Sequence, residues 1–510
     1  MSATGLTRFS NNIAVAPCKP GDPTGYITTS IQNALTNKRH VKLDIPGTYY
    51  INSGLSIPSS TVLEICSGVT LRAHSSFTGV LITSTSTSNV KLTGDGVIVC
   101  TAATAPTFTS VTGLTVDARI EDSSGTPLPW LGSGNSVVQF RGQNGRILYP
   151  STSNMVRQQL KKWSAALANV QAGAANARIA FVGDSIWLGA YATGVIWADN
   201  QPFCMAKLIA NLLNARGITA ITDNLFGDGN MSGANLALYD TRVTPGTWTA
   251  ASIAGILGGR TISSTTASTA SFDLVIANTI DTIETWTVTN PSYQDFEVAV
   301  DAGATISTVD ASQATSILKT TSACSSGAHT VNIRKSAANA AHTGILGINC
   351  FNSAVKAVQC WNMGYGSMTS TLLGTATSVW LPPPMIVTYA PHLTVIMMGI
   401  NDWAASVSAA TFTTNMQTFI TAALTVGDVI IVTPPPSNIG YSGITQAEMD
   451  ALVNALFALA GTNNVPIVDV FGRLVSYTDG NDLGFYGDDV HLDKTGYYDV
   501  ANALYQFIAQ

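Results

Sequence analysis

From His392 onward the chain alternates short continuous apolar runs with stretches whose apolar residues recur at helical spacing, and nothing else in it constrains the fold so tightly. His392–Met398, Asp428–Thr433 and Val465–Val470 read as buried strands; about Ala409–Leu424, Thr445–Ala460 and Asp493–Ala509 read as helices. Thr445-Gln446-Ala447-Glu448 has capping-box form, and Asp493 can cap the last helix. The same register starts earlier, with strand Arg178–Val182 and helix Phe203–Ala215, after a predicted helix over Ser153–Gln171. Strands and helices in alternation imply an α/β fold with a parallel sheet covered on both faces.

Two regions break that pattern. From about Gly25 to Val116 lie short β-prone runs punctuated by Gly, Ser and Pro, such as His40–Ile45, Thr61–Ile65, Val69–Leu71 and Val97–Val99, which suggest a sandwich or a stacked β-solenoid. Phe108–Leu148 reads as a β-rich connector. Between about Ala234 and Asn352, alternating segments such as Phe272–Ile276, Thr285–Val288, Phe296–Val300 and His329–Ile333 read as an inserted β-sandwich, with no helix expected among them. Its aromatic and hydroxyl content suits carbohydrate contact as well as a structural role.

Only 11% of the 510 residues are charged, against about 25% in an average soluble protein, and the net charge is −6. With no Lys/Arg block, nucleic acid is not an expected partner, and neutral, hydroxyl-rich ligands fit better. The first residues lack a basic stretch followed by an apolar one, and no run approaches the ~18–20 apolar residues of a membrane helix. A soluble chain without a secretion signal is therefore expected. The seven cysteines are scattered, without metal-ligand spacing, so buried thiols and no metal or other cofactor are expected.

The strand Arg178–Val182 ends in Gly183-Asp184-Ser185, where open α/β sheets place their chemistry, just before an expected helix. Ester hydrolysis through a serine needs a base, a group that orients the base, and donors for the oxyanion. Of the six histidines, His40 and His74 lie in the N-terminal β region, His329 and His342 in the insertion, and His392 at the start of a strand. His491 alone lies between the final strand and the final helix. Asp488 precedes it by three residues, so one tight loop can bring its carboxylate to the imidazole; Asp489 is the nearer competitor. Asn401, in Gly399-Ile400-Asn401-Asp402 after a neighbouring strand, can aim an amide at the site, although Asn401 and Asp402 could equally cap turns. Trp361-Asn362-Met363-Gly364-Tyr365-Gly366-Ser367 follows another run, and its glycines let the backbone approach a ligand.

Taken in order, Gly-Asp-Ser, Asn-x-Gly-x-Gly, Gly-x-Asn-Asp and Asp-x-x-His resemble the blocks of the SGNH (GDSL-type) hydrolase superfamily. The resemblance runs from about Ala177 to Gln510, the insertion apart, and implies a flavodoxin-like three-layer domain. It implies Ser185 as nucleophile, His491 as general base and acid, and Asp488 as its partner. It also implies an oxyanion hole built from the Ser185 N–H, the Asn401 side chain and a glycine N–H. That glycine usually stands five residues after the block's asparagine, but Ser367 occupies the position; Gly366 is then the expected donor, with Gly364 and Gly229 as rivals. No Gly-x-Ser-x-Gly elbow, metal-ligand cluster or phosphate loop points to another hydrolase class.

Leu43-Asp44-Ile45-Pro46-Gly47-Thr48-Tyr49-Tyr50 with Gly68-Val69-Thr70-Leu71 resembles the opening coils of phage tailspike β-helices. The expected organisation is thus a β-solenoid-like domain over 1–120, a connector over 121–175, a hydrolase domain over 176–233 and 353–510, and an inserted β-sandwich over 234–352. The expected function is removal of O-acetyl groups from an acylated bacterial surface polysaccharide by a phage tail protein. Such a protein is made in the host cytoplasm and acts outside it, and the tailspike resemblance implies a homotrimer. Two alternatives stay open: a non-catalytic receptor-binding tail protein, and an esterase of lipid or small acyl esters. A third, glycan cleavage in the β-solenoid region, has Asp44 and Glu64 as available carboxylates.

Overall fold

The structure is a computed structural model that describes residues 13–15, 27–37, 40–44, 46–124, 131–133, 137–140, 159–440, 443, 445–474 and 476–509. The start of the expected Ser153–Gln171 helix, residues 125–130, 134–136 and 141–158 of the expected connector, and Cys18 lie outside them; the other six cysteines are free thiols. Among the described residues no helix is long and apolar enough to cross a membrane. The chain divides into two compact units, residues 1–159 with 457–469, and residues 160–456 with 470–510.

In the first unit the strand pairings are parallel throughout. His40–Leu43 lies beside Val62–Ile65, which lies beside Lys91–Cys100, which lies beside Leu114–Asp122. A second sheet stacks Leu55–Ser56, Ile82–Thr85, Thr107–Thr109 and Leu131–Ser133. Alternate side chains, among them Val41, Leu43, Leu63, Ile65 and Leu71, enter one apolar cluster, each burial contributing about 1.5–3 kcal/mol. An eleven-residue helix, Ile27–Asn37, stands between strand Ile13–Val15 and its parallel partner His40–Leu43, in a region the sequence suggested was wholly β. Its Ile31 and Leu35, one turn apart, are buried in that cluster, and this packing overrides the β-branched bias of its threonines. Glu64 accepts a 2.8 Å contact from His40 and pairs with Lys42 at 3.4 Å. Burial raises its pKa, but His40 and Lys42 outweigh that and hold the carboxylate below its usual range.

The second unit is built on a parallel sheet. Its strands are β1 (Ala177–Gly183), β2 (Ala220–Ile221), β3 (Val358–Gly364), β4 (Leu393–Met397) and β5 (Asp428–Val432), arranged β2-β3-β1-β4-β5. Without the two-residue edge strand β2, the chain order is 2-1-3-4, as in flavodoxin-like sheets. Every residue of β4 and β5 is buried, which is why they read as uninterrupted apolar runs. Helices Met205–Ala215 and Lys494–Ile508 pack on each other, as do Pro382–Tyr389 and Ala409–Val426. The last helix is capped by Asp493, whose carboxylate accepts the Gly496 N–H at 2.8 Å, and the Thr445/Glu448 capping pair forms at 2.7–2.8 Å.

The segment between β2 and β3 is antiparallel β structure. Phe272–Val288 and Ile317–Lys335 are two long paired strands, so Phe272–Ile276 and Thr285–Val288 belong to one strand. With Asn224–Phe226, Val243–Thr244, Gly347–Phe351, Phe296–Val300 and Thr305–Val309 they form a seven-stranded sheet. A three-stranded sheet, Thr249–Ile256, Gly259–Ser264 and Thr343–Ile345, shares its apolar cluster. The short helix Gly233–Tyr239 stands in this segment, where none was expected; Ser232 caps it by accepting the Asn235 N–H.

Candidate active site

β1 delivers Gly183, Asp184 and Ser185 to the C-terminal edge of the sheet, beside the ends of β3 and β4. A Cβ on Gly183 would lie 2.5 Å from the Met397 carbonyl oxygen, so the close passage of β4 requires glycine there. No helix follows the serine directly. Residues 186–199 form turns and bends, a 3₁₀ turn spans Gln201–Phe203, and the next α-helix begins at Met205; Asp184 Oδ1 accepts the Ile186 N–H at 2.9 Å and folds the chain at the serine into a side-chain-capped turn. The other Asp184 oxygen is buried without a hydrogen-bond partner among the described residues, and burial pushes the carboxyl pKa up to about 7.

Ser185 Oγ lies 2.8 Å from His491 Nε2, and His491 Nδ1 lies 2.9 Å from Asp488 Oδ2. A carboxylate can only accept, so Nδ1 carries the proton and Nε2 is left to accept from the serine. Asp488 Oδ1 also accepts the His491 and Val490 N–H groups at 2.6 and 2.8 Å. Burial raises the pKa of Asp488, but its contacts with His491 outweigh this and hold it below the usual range. Asp489, the competing acid, turns away and accepts from Asn438 Nδ2 at 2.8 Å and the Tyr477 hydroxyl at 3.3 Å. The other candidate bases are placed elsewhere. His392 accepts the Arg178 N–H at the opposite end of β1, and His329 pairs with Asp301 in the antiparallel segment.

Asn401 follows β4 in the short helix Ile400–Ala404, whose cap, Gly399, has φ 137°, a conformation suited to glycine. One Asn401 amide N–H is donated to the Met368 carbonyl at 3.1 Å, which orients the group and leaves its second N–H without an acceptor among the described residues. The neighbouring Asp402, by sequence a candidate turn cap, is buried and accepts from both the N–H and the hydroxyl of Ser370 at 2.7–3.1 Å. It thereby ties the Asn401 helix to the loop after β3.

That loop corrects the glycine assignment. The Gly366 N–H is donated to the Gly229 carbonyl at 3.1 Å, the Gly229 N–H to the Gly258 carbonyl at 2.8 Å, and the Gly364 N–H to Asn362 Oδ1 at 3.2 Å. All three expected or rival donors are therefore engaged within the protein. Ser367, at the position where the superfamily pattern places glycine, is exposed and has the left-handed φ of 65° that glycine would adopt without strain. Its N–H has no acceptor within the described residues. The five-residue spacing in the sequence marks position 367, whereas residue type alone points to Gly366.

The sequence of residues 349–498 matches the GDSL-like Lipase/Acylhydrolase family. The match begins within Gly347–Phe351, the last strand of the antiparallel segment, so it holds Asn401, Asp488 and His491 but not Ser185. No curated protein sequence matches the chain. Among solved structures, a peptidoglycan O-acetylesterase superposes with a TM-score of 0.51 at 16% identity, over 68% of this chain and 95% of that one. A lipase/acylhydrolase from Enterococcus faecalis is similar at 23% identity, over 30% of this chain and 76% of that one, with a TM-score of 0.26. A family two carbohydrate esterase from Clostridium thermocellum matches at 15% identity, over 47% and 92%, with a TM-score of 0.25. The chain thus carries a GDSL-like (SGNH) hydrolase domain, recognised over residues 349–498 and joined in the fold by the Gly183-Asp184-Ser185 turn from before the antiparallel segment.

Proposed function

We propose that the protein is a serine esterase that removes O-acetyl groups from a bacterial surface polysaccharide. The observation that carries the esterase chemistry is the continuous relay from Ser185 through His491 to Asp488, with contacts of 2.8 and 2.9 Å. Ser185 Oγ attacks the ester carbonyl while His491 Nε2 takes its proton. The imidazolium then protonates the departing sugar oxygen as the C–O bond breaks. Water, deprotonated by the same nitrogen, releases acetate from the acyl-serine and restores the Ser185 hydroxyl. The N–H groups of Ser185 and Ser367 and the free Asn401 amide N–H receive the developing oxyanion, Ser367 taking the part first expected of Gly366.

The substrate assignment draws on the fold shared with a peptidoglycan O-acetylesterase and on the scarcity of charge, which suits a neutral, hydroxyl-rich ligand. The parallel pairings of the first unit, in which each strand lies beside one a coil later in the chain, His40 beside Val62, Val62 beside Lys91 and Lys91 beside Thr115, support reading it as a β-solenoid of the tailspike kind. On that reading the protein works at the virion tail as a homotrimer, outside the host cell in which it is made.

Acetate release from acetylated capsule or lipopolysaccharide tests the chemistry, with Ser185→Ala as control. Loss of release in the variant, with glycan binding retained, is the expected result. Equal release by both proteins rules out the nucleophile, and turnover of long-chain esters alone rules out the substrate. Light scattering of the purified protein tests the trimer.

A further inference from the structure

Tyr191 lies six residues after the nucleophile and matches none of the motifs that define the site. Its ring stacks on His491, with centroids 5.0 Å apart and planes at 23°. The backbone beneath it is held unusually firmly. Three successive carbonyls are engaged: Ala190 accepts the Tyr497 hydroxyl at 2.9 Å, Tyr191 the Gly194 N–H at 2.8 Å, and Ala192 the Lys494 N–H at 3.2 Å. Two of those donors belong to the helix that follows His491, so the ring and the imidazole it covers share one support. Tyr191 itself has φ 62°, a conformation that costs a non-glycine residue about 1–3 kcal/mol and persists where surrounding contacts impose it. Across the gap, a Cβ on Gly487 would meet the Tyr191 carbonyl oxygen at 2.7 Å, so the His491 loop passes close beneath this turn.

We infer that Tyr191 is a positioning residue: its ring face holds the His491 imidazole toward Ser185 and stabilises the imidazolium that forms when the serine loses its proton. The inference rests on the esterase reading above for its catalytic meaning. An aromatic face is electron-rich and attracts a cation lying over it, with most effect where water is thinned. His491 is neutral before attack and cationic after it, so the attraction grows along the reaction coordinate and lowers the barrier. The other charged groups that bear on the imidazole are Asp488 on its own loop and Asp184 on the nucleophile turn; the Tyr497 hydroxyl is donated to the Ala190 carbonyl, and Asp489 and Asp493 are engaged with Asn438 and with the helix N-terminus.

The test compares wild type with Tyr191→Phe, Tyr191→Leu and Tyr191→Trp. The readouts are kcat for p-nitrophenyl acetate against pH, and the titration midpoint of the His491 ring resonances by NMR. Tyr191→Phe keeps the ring face, and its kcat is expected within about twofold of wild type. Tyr191→Leu keeps apolar bulk without the face; kcat falls about 3- to 30-fold, and both midpoints move down by about 0.5–1.5 pH units. A fall in kcat with unmoved midpoints makes the contact mere packing and overturns the inference, as does a Leu variant that behaves like wild type. Should the Leu variant lose the wild-type circular dichroism, Tyr191→Trp decides, because a stronger ring face must hold the His491 midpoint at or above the wild-type value. The NMR arm needs no turnover, so failure of the esterase reading, seen as Ser185→Ala equal to wild type, is distinguishable from failure of this one.

Discussion

Replacing Asp488 by Asn isolates the orienting role from the structural one, because the two carboxylate oxygens do different work. Oδ1 accepts the backbone N–H groups of Val490 and His491 at 2.8 and 2.6 Å, while Oδ2 faces His491 Nδ1 at 2.9 Å. An asparagine keeps the first set of contacts by placing its carbonyl oxygen there, which turns its NH₂ toward Nδ1. Two donors cannot face each other, so the imidazole adopts the other tautomer and presents N–H instead of a lone pair to Ser185. The base is then absent although the geometry is intact, and comparable triads lose about 10⁴-fold in kcat on this change. Stability should fall by about 1 kcal/mol or less, the difference between a charged and a neutral acceptor. Asp488→Ala also strands two N–H groups and should cost about 1–2 kcal/mol in addition to the loss of rate. Steady-state kinetics with p-nitrophenyl acetate, paired with urea unfolding followed by tryptophan fluorescence, separates the two effects. An Asn variant retaining more than a tenth of wild-type kcat would refute the reasoning and reassign the orienting role.

Two other variants probe what the fold alone revealed. Ser367→Gly should retain activity within about threefold and gain about 1 kcal/mol in urea unfolding by relieving φ 65°, while Ser367→Pro, which removes the N–H and also forces φ to about −65°, should lower kcat by about 10²-fold or more; equal kcat in both variants would exclude this N–H from the hole. Asp184 has its pKa raised to about 7 by burial, so between its unfolded value near 4 and pH 7 the folded protein holds a proton that the unfolded chain has released, and stability falls as pH rises through that window. Asp184→Asn keeps the Ile186 contact without a charge to bury, so relative to wild type it should gain on the order of 2–4 kcal/mol from pH 4 to pH 8. Parallel pH profiles of the urea midpoints would contradict this.

The helical period and the buried runs were legible because each is a local consequence of burial on a sheet face or helix stripe. The ends of Leu393–Met397, Asp428–Val432 and Lys494–Ile508 fall within a few residues of where the pattern places them. Helix Ile27–Asn37 was legible in principle, since Ile31 and Leu35 are one turn apart, but its threonines speak for strand until the apolar cluster that receives the helix is known. Residue type and chain order by themselves also picked out Ser185, His491, Asp488 and Asn401, because few side chains can attack, relay a proton or donate to an oxyanion. Only the tertiary structure decided which groups remain free to do so. Gly366 lost its claim to a carbonyl of residue 229, Ser367 was left with an unclaimed N–H, and Tyr191 came to lie on an imidazole 300 positions later. Hydrogen-bond competition and ring stacking depend on what the fold brings within about 3–5 Å, and residues far apart in the chain carry no local mark of it.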